Sequence, residues 1–128
     1  MIKPGKQNVF KTQVISFKYA FEGLALLFGK ERNAKIHFAA ALLVLILGFV
    51  FDISSSEWCI VVLCVAVVMA FEGMNTAVEY LADTVTTEQH PGIKKVKDVA
   101  AGAVLLAAIG AFIIGLIIFL PKVIAVIV

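Results

Sequence analysis

The sequence predicts an all-α membrane protein. Three transmembrane helices and an N-terminal amphipathic surface helix form one domain over residues 1–128. Hydrophobic residues make up 62% of the 128 and the mean hydropathy is +1.03. A soluble domain carries roughly 45–50% apolar residues, so this chain has too little polar surface to cover itself in water. Its apolar residues gather in runs near 36–53, 58–83 and 98–120, each long enough for the roughly 17–25 residues of a span. All eleven Lys and Arg lie outside those runs, while Glu72 and Glu79 lie within the second. The net charge of +2 says little by itself, and no nucleic-acid partner is expected.

Residues 1–7 form a ragged polar start. Over residues 8–30, Val14, Phe17, Phe21, Leu24, Ala25 and Phe28 recur at spacings of three and four, while Lys11, Lys18 and Glu22 lie off that face. The pattern suits a helix lying in the bilayer interface with its lysines near anionic headgroups. It also fits a helix packed on a protein core, and the three spans beside it favour the interface. Gly29 is expected to end or bend this helix. The polar segment Lys30-Glu31-Arg32-Asn33-Ala34-Lys35-Ile36-His37 then leads into the first span.

The turn Asp52-Ile53-Ser54-Ser55-Ser56-Glu57 comes next, with Ser55 or Ser56 expected to cap the second span and Trp58 to sit at the interface. Residues 84–95 read as a polar link, because Pro91-Gly92 forbids a continuous helix there. The third span begins near Lys97-Asp98. Its first half, including Ala100-Ala101-Gly102-Ala103 and Ala107-Ala108, is small enough for close helix approach in lipid. Pro121-Lys122 is expected to close it, and the apolar tail 123–128 is too short to span again. Cys59 and Cys64 are five residues apart on one helix and cannot bridge, so they read as packed or lipid-facing residues. No zinc-type Cys/His set and no cleavable signal peptide are seen.

Seven of the eleven basic residues precede the first span, three (Lys94, Lys95, Lys97) fall between the second and third, and Lys122 alone lies at the opposite side. The positive-inside rule then puts the N-terminus and second loop in the cytoplasm and the C-terminus outside. At 100° per residue, Glu72, Asn75, Glu79 and Asp83 form one polar stripe on an otherwise apolar helix. Glu72 lies eleven residues, about 16 Å at about 1.5 Å per residue, deeper than Asp83. Ionisable groups at such depth are costly and mark a functional site by default.

Glu31, Glu79 and Asn75 offer hard oxygens suited to Mg²⁺, which commonly bridges to substrate phosphates. Lys94, Lys95 and Lys97 suit nucleotide phosphates, and Glu72, withdrawn from water, suits a general base acting on a hydroxyl. Together these describe phosphoryl transfer without a glycine-rich phosphate loop. Two other readings use the same stripe: helix–helix glue in an oligomer, and an oligomeric channel carrying protons or cations.

The run Glu72-Gly73-Met74-Asn75-Thr76-Ala77-Val78-Glu79-Tyr80-Leu81-Ala82-Asp83 resembles the signature of the small bacterial membrane diacylglycerol kinase and undecaprenol kinase family. Lys97-Asp98-Val99-Ala100-Ala101-Gly102-Ala103-Val104 does so too, as do Glu31, Asn33 and Ile36-His37 ahead of the first span. The similarity covers roughly residues 17–118. It implies a homotrimer with active sites shared between subunits, in the bacterial inner membrane. The implied reaction moves the γ-phosphate of ATP, with Mg²⁺, onto a membrane lipid alcohol. By motif, Glu72 would be the catalytic base, Glu31 and Glu79 would bind Mg²⁺ and the ATP phosphates, and Asn75 would support them. Lys97 and Asp98 would meet the nucleotide, Tyr19, Glu88 and His90 fall where the family touches ATP, and Asp83 would be structural or support the site from behind. His90 reads equally well as a solvated loop histidine.

Two departures stand out. Ala34 occupies a position where the family often has an aromatic residue, and the N-terminal helix matches loosely, which leaves any basic contact from Lys11 open. Ala101-Gly102-Ala103 resembles the undecaprenol kinase branch, which favours undecaprenol as substrate, with diacylglycerol as the alternative.

Overall fold

The computed structural model describes residues 9–128, all but the turns helical. The expected polar start and the first residue of the surface helix lie outside the described residues. Four helices run in order: α1 (Val9–Lys30), α2 (Arg32–Val50), α3 (Ser55–Val85) and α4 (Pro91–Ile127). The last three are each long and apolar enough to cross a membrane. At about 1.5 Å per residue, α3 and α4 are roughly 46 and 55 Å long, well beyond a hydrocarbon core of about 30 Å. Their polar ends therefore extend past it. Helix α4 lies along α3 in the most extensive contact, α2 packs on α3, and α1 touches both α2 and α3 lightly.

Ten hydrophobic side chains are buried among the described residues, while leucines, isoleucines, valines and phenylalanines stand exposed along every helix. A water-soluble monomer rarely shows apolar surface on that scale. Val14, Phe17, Phe21 and Leu24, the apolar face read for α1, are exposed too, so within one chain that face has no protein cover. Leu27 is the one buried residue of α1. It reaches Gly73 of α3, and Phe28 stacks against Phe38 of α2 with ring centroids 5.0 Å apart.

The break between α1 and α2 is a single residue. The first helix runs through Gly29 to Lys30, and Glu31 takes an extended conformation at the N-cap of α2. The expected end at Gly29 is thus displaced to Glu31, a residue read as part of the site.

The α2–α3 turn is built more tightly than its serines suggest. Ile53 N–H donates to Gly48 O at 3.1 Å and Asp52 N–H to Phe49 O at 3.3 Å. Asp52 has a positive φ of 47°, which makes the turn a Schellman closure with aspartate in the place glycine usually takes. Ile53 turns inward to join Val61, Ile118 and Phe119 in the main apolar cluster. The cap of α3 is Ser54, not Ser55 or Ser56. A capping box needs a glutamate three residues on, and only Ser54 stands at that distance from Glu57; Ser54 Oγ accepts from Glu57 N–H while Glu57 Oε2 accepts from Ser54 N–H.

Two prolines behave differently from the sequence expectation. Pro91 starts α4 at its first turn instead of standing in a loop, because the missing N–H is not needed there. Lys94, Lys95 and Lys97 are consequently helical, and the link shrinks to residues 86–90. Pro121 does not close the third span: α4 runs through it to Ile127. Burial of Ile118 and Phe119 holds the preceding turn, and Lys122 pairs with Glu57 at the start of α3 at 3.1 Å. One lost backbone bond is tolerated between such anchors. The tail left without a role is the last part of this helix.

At Gly48 a Cβ would lie 2.6 Å from Trp58 Cη2 and 2.8 Å from Cζ2, so the α2–α3 crossing needs glycine. A Gly48→Val protein should lose about 1–3 kcal/mol through overpacking, read as a fall in Tm in detergent. An unchanged Tm would mean that the indole has room to move aside.

Candidate active site

Helix α3 carries the polar residues of its stripe into an apolar setting. Taking Trp58 as the start of the hydrocarbon, about 20 residues of helix exhaust a core of about 30 Å. Glu72 then falls inside it and Glu79 at its edge. Glu72 is 2% exposed, Asn75 7% and Thr76 5%. Buried polar groups on this scale need partners; Glu79 of the same helix serves Asn75 and His37 of α2 faces Glu72.

Asn75 Nδ2 donates to Glu79 Oε1 at 3.1 Å, one helical turn along. That bond leaves Asn75 Oδ1 buried with no hydrogen-bond partner. Glu31, at the junction of α1 and α2, accepts a hydrogen bond from Tyr80 Oη at 2.7 Å. This contact joins residues 49 positions apart and fixes the start of α2 against α3. Glu31 and Glu79 both act electrostatically on Glu72, as does His37 of α2, whose Nε2 lies 3.9 Å from Glu72 Oε2. The structure joins Asn75 to Glu79, Glu72 to His37 and Glu31 to Tyr80. It adds Tyr80 and His37, which sequence reasoning left out of the site. Tyr80 stands directly after Glu79 in the motif, and its hydroxyl was the available signal.

The carboxylates of Glu31 and Glu79 and the unpartnered Asn75 Oδ1 are hard oxygen donors, the kind that divalent cations such as Mg²⁺ take. Among the described residues, no group of three or more His, Cys, Asp or Glu side chains is placed to hold a metal ion within this one chain. A cation here would draw its other ligands from water and phosphate, as Mg²⁺ habitually does.

Two hollows flank this cluster. An apolar cavity of about 230 Å³ runs between α2, α3 and α4, lined by Ala40, Ala41, Val44, Val65, Val68 and Ala108 among others, with His37 as its polar member. A more open hollow of about 580 Å³ lies at the α3–α4 turn, lined by Asp83, Glu88, His90, Lys94, Lys97 and Asp98. Four of the residues predicted to meet nucleotide thus share one concavity. Within it Lys97 pairs with Asp83 and Lys94 with Asp98. The first pair ties the start of α4 to the end of α3. His90 is the N-cap of α4, its Nδ1 accepting from Gly92 N–H at 3.0 Å, so the histidine before proline has a folding task of its own. Tyr19 stands exposed on α1 and makes no hydrogen bond or ring contact among the described residues.

Comparison with known proteins gives the same answer from several directions. Residues 18–119 match the family model described as prokaryotic diacylglycerol kinase. The chain is 45% identical over 107 residues to the undecaprenol kinase of Bacillus subtilis, covering 84% of this chain and 87% of that protein. It is 36% identical over 123 residues to a diacylglycerol kinase of Synechocystis, covering 93% and 70% of the two chains. With a diacylglycerol kinase of Helicobacter pylori it shares 30% identity over 106 residues, 83% of each. An apolar helical bundle with acidic side chains clustered at one end fits that assignment, and the chain belongs to the prokaryotic diacylglycerol kinase family of membrane lipid kinases.

Proposed function

We propose that this chain transfers the γ-phosphate of ATP to undecaprenol at the cytoplasmic face of a bacterial cell membrane. The observation that carries the reading is the position of Glu72. It is a buried carboxylate with an apolar cavity along the helix on one side and an acidic, oxygen-rich cluster on the other. A lipid alcohol approaches through the bilayer, so its hydroxyl meets Glu72 from the apolar side. The nucleotide approaches from water, where the hollow at the α3–α4 turn offers Lys94 and Lys97 as cations.

In this reading Glu31 and Glu79 hold Mg²⁺ together with the ATP phosphates, and Asn75 Oδ1 supplies an acceptor at the same place. The metal, when bound, offsets the charge of the β- and γ-phosphates. Glu72 accepts the proton of the lipid hydroxyl as its oxygen bonds to the γ-phosphorus. The bond from that phosphorus to the β–γ bridging oxygen breaks, ADP leaves, and the proton passes from Glu72 to water. Lys97 and Asp98, with Glu88, His90 and Tyr19, are the nucleotide contacts. Tyr19 and the uncovered apolar faces support an assembly of several copies, a homotrimer, in which one subunit completes the site of another. The gathering of Lys and Arg at the end that holds α1 and the α3–α4 turn supports a cytoplasmic location for that end.

Undecaprenol is preferred to diacylglycerol on two grounds: the small residues at Ala101-Gly102-Ala103, and the 45% identity to a protein named undecaprenol kinase. Diacylglycerol remains the second reading because other relatives carry that name.

The test is phosphate transfer from labelled ATP to each lipid in detergent micelles. The expected result is undecaprenyl phosphate formed with a higher kcat/KM than phosphatidic acid. Transfer to neither lipid would overturn the reading, and a preference for diacylglycerol would reverse the choice of substrate. Glu72→Gln should lower kcat about 10²- to 10⁴-fold, the usual worth of a general base, while the oligomer still assembles on size-exclusion chromatography. Glu79→Gln should raise the Mg²⁺ concentration for half-maximal rate roughly tenfold, equivalent to about 1.4 kcal/mol of binding. A Glu79→Gln enzyme with the normal Mg²⁺ requirement would remove that residue from the metal site.

A further inference from the structure

The groups acting on Glu72 are unequal in sign. Glu31 and Glu79 are acidic and oppose its charge, while His37 is the basic one. Its Nε2 stands 3.9 Å from Glu72 Oε2, within ion-pair range. Lys97 is engaged with Asp83 at the other end of the stripe. The side chain of Glu72 is 3% exposed and that of His37 25%, so the pair straddles the border between the buried cluster and open space. The same imidazole forms part of the wall of the apolar cavity beside Ala40, Ala41 and Val68.

We propose that His37 is a positioning residue for Glu72. From the α2 side it holds the carboxylate turned toward the mouth of the apolar cavity, where the lipid hydroxyl arrives. The inference rests on the lipid-kinase reading and deepens it by assigning a task to a residue on the lipid side of the site. Its physical basis is geometric. His37 Nε2 stands 3.9 Å from Glu72 Oε2, and the same side chain lines the apolar cavity, so the imidazole links the carboxylate to that cavity. Side-chain misplacement of about 1 Å costs up to about 10²-fold in rate. His37 takes no proton from the substrate in this scheme; the proton goes to Glu72 and then to water.

The experiment compares wild type, His37→Leu and His37→Gln for transfer from ATP to undecaprenol in micelles, with Tm and oligomer size measured alongside. His37→Leu keeps side-chain bulk and removes every polar contact; His37→Gln keeps an N–H at similar reach. The expected result is a kcat lowered roughly 10- to 100-fold in His37→Leu, with KM for ATP and Tm as in the wild type, and recovery to within several-fold of the wild type in His37→Gln. Wild-type kcat in His37→Leu would overturn the proposal. So would a raised KM for ATP, which would make His37 a nucleotide contact, or a loss that tracks a fall in Tm and is not rescued by His37→Gln. If the wild type itself transfers phosphate to neither lipid, the kinase reading fails first and this assignment falls with it.

Discussion

Placing a carboxylate inside an apolar helix bundle is the constraint on which the rest of the arrangement depends. Glu72 is flanked along the chain by the apolar run from Trp58 to Phe71, so α3 carries it into the bundle whatever the cost. A lone ionised group there would be driven to neutralise or to snorkel, and a glutamate this far from the helix end cannot snorkel. Partners must therefore be brought to it. Helix α2 supplies His37, while Glu31 from the α1–α2 junction and Glu79 two turns on add acid that opposes its charge. The remaining imbalance, an excess of acid and an amide oxygen without a donor, is the part of the site that a cation would satisfy.

The two ends of the bundle are built for different purposes. At the α2–α3 turn, the Schellman closure at Asp52, the capping box of Ser54 and Glu57, the Lys122–Glu57 pair and the Ile53 cluster all converge. Backbone polar groups at helix ends are satisfied locally there, and apolar contacts close around them. The other end holds the carboxylates, the Lys97–Asp83 and Lys94–Asp98 pairs and the open hollow. Stability concentrated at one end leaves the other free to present charge. This is the division expected where a binding surface needs incomplete satisfaction and the scaffold needs the opposite.

Much of this was legible in the residues. Hydropathy runs set the number of spans, and the angular arithmetic on Glu72, Asn75, Glu79 and Asp83 put them on one face because a long helix obeys its 100° period closely. Boundaries were harder. Pro91 and Pro121 carry the same local signal, yet one opens a helix and the other lies inside it. The difference is tertiary: burial of Phe119 and the ion pair of Lys122 hold the helix together on either side of Pro121. Ser54 was missed in favour of its neighbours because a capping box is decided by the spacing to Glu57 and not by serine content. His37 and Tyr80 escaped for a related reason. Their roles depend on which helices cross near Glu72 and Glu31, and a single-sequence period has no access to contacts between residues so far apart in the chain.

The length of α3 ties chemistry to location. A helix of 31 residues exceeds the hydrocarbon thickness by roughly ten residues. One continuous rod therefore passes from the apolar cavity, past Glu72 and Glu79, to the aqueous hollow at Asp83. A reaction between a partner confined to the bilayer and one confined to water needs such a rod, because neither reactant has to leave its own solvent. Shortening it would withdraw the carboxylates from the interface, and a kink would separate the two hollows. The absence of proline from α3, and the location of both prolines of the described residues on α4, is what that requirement demands.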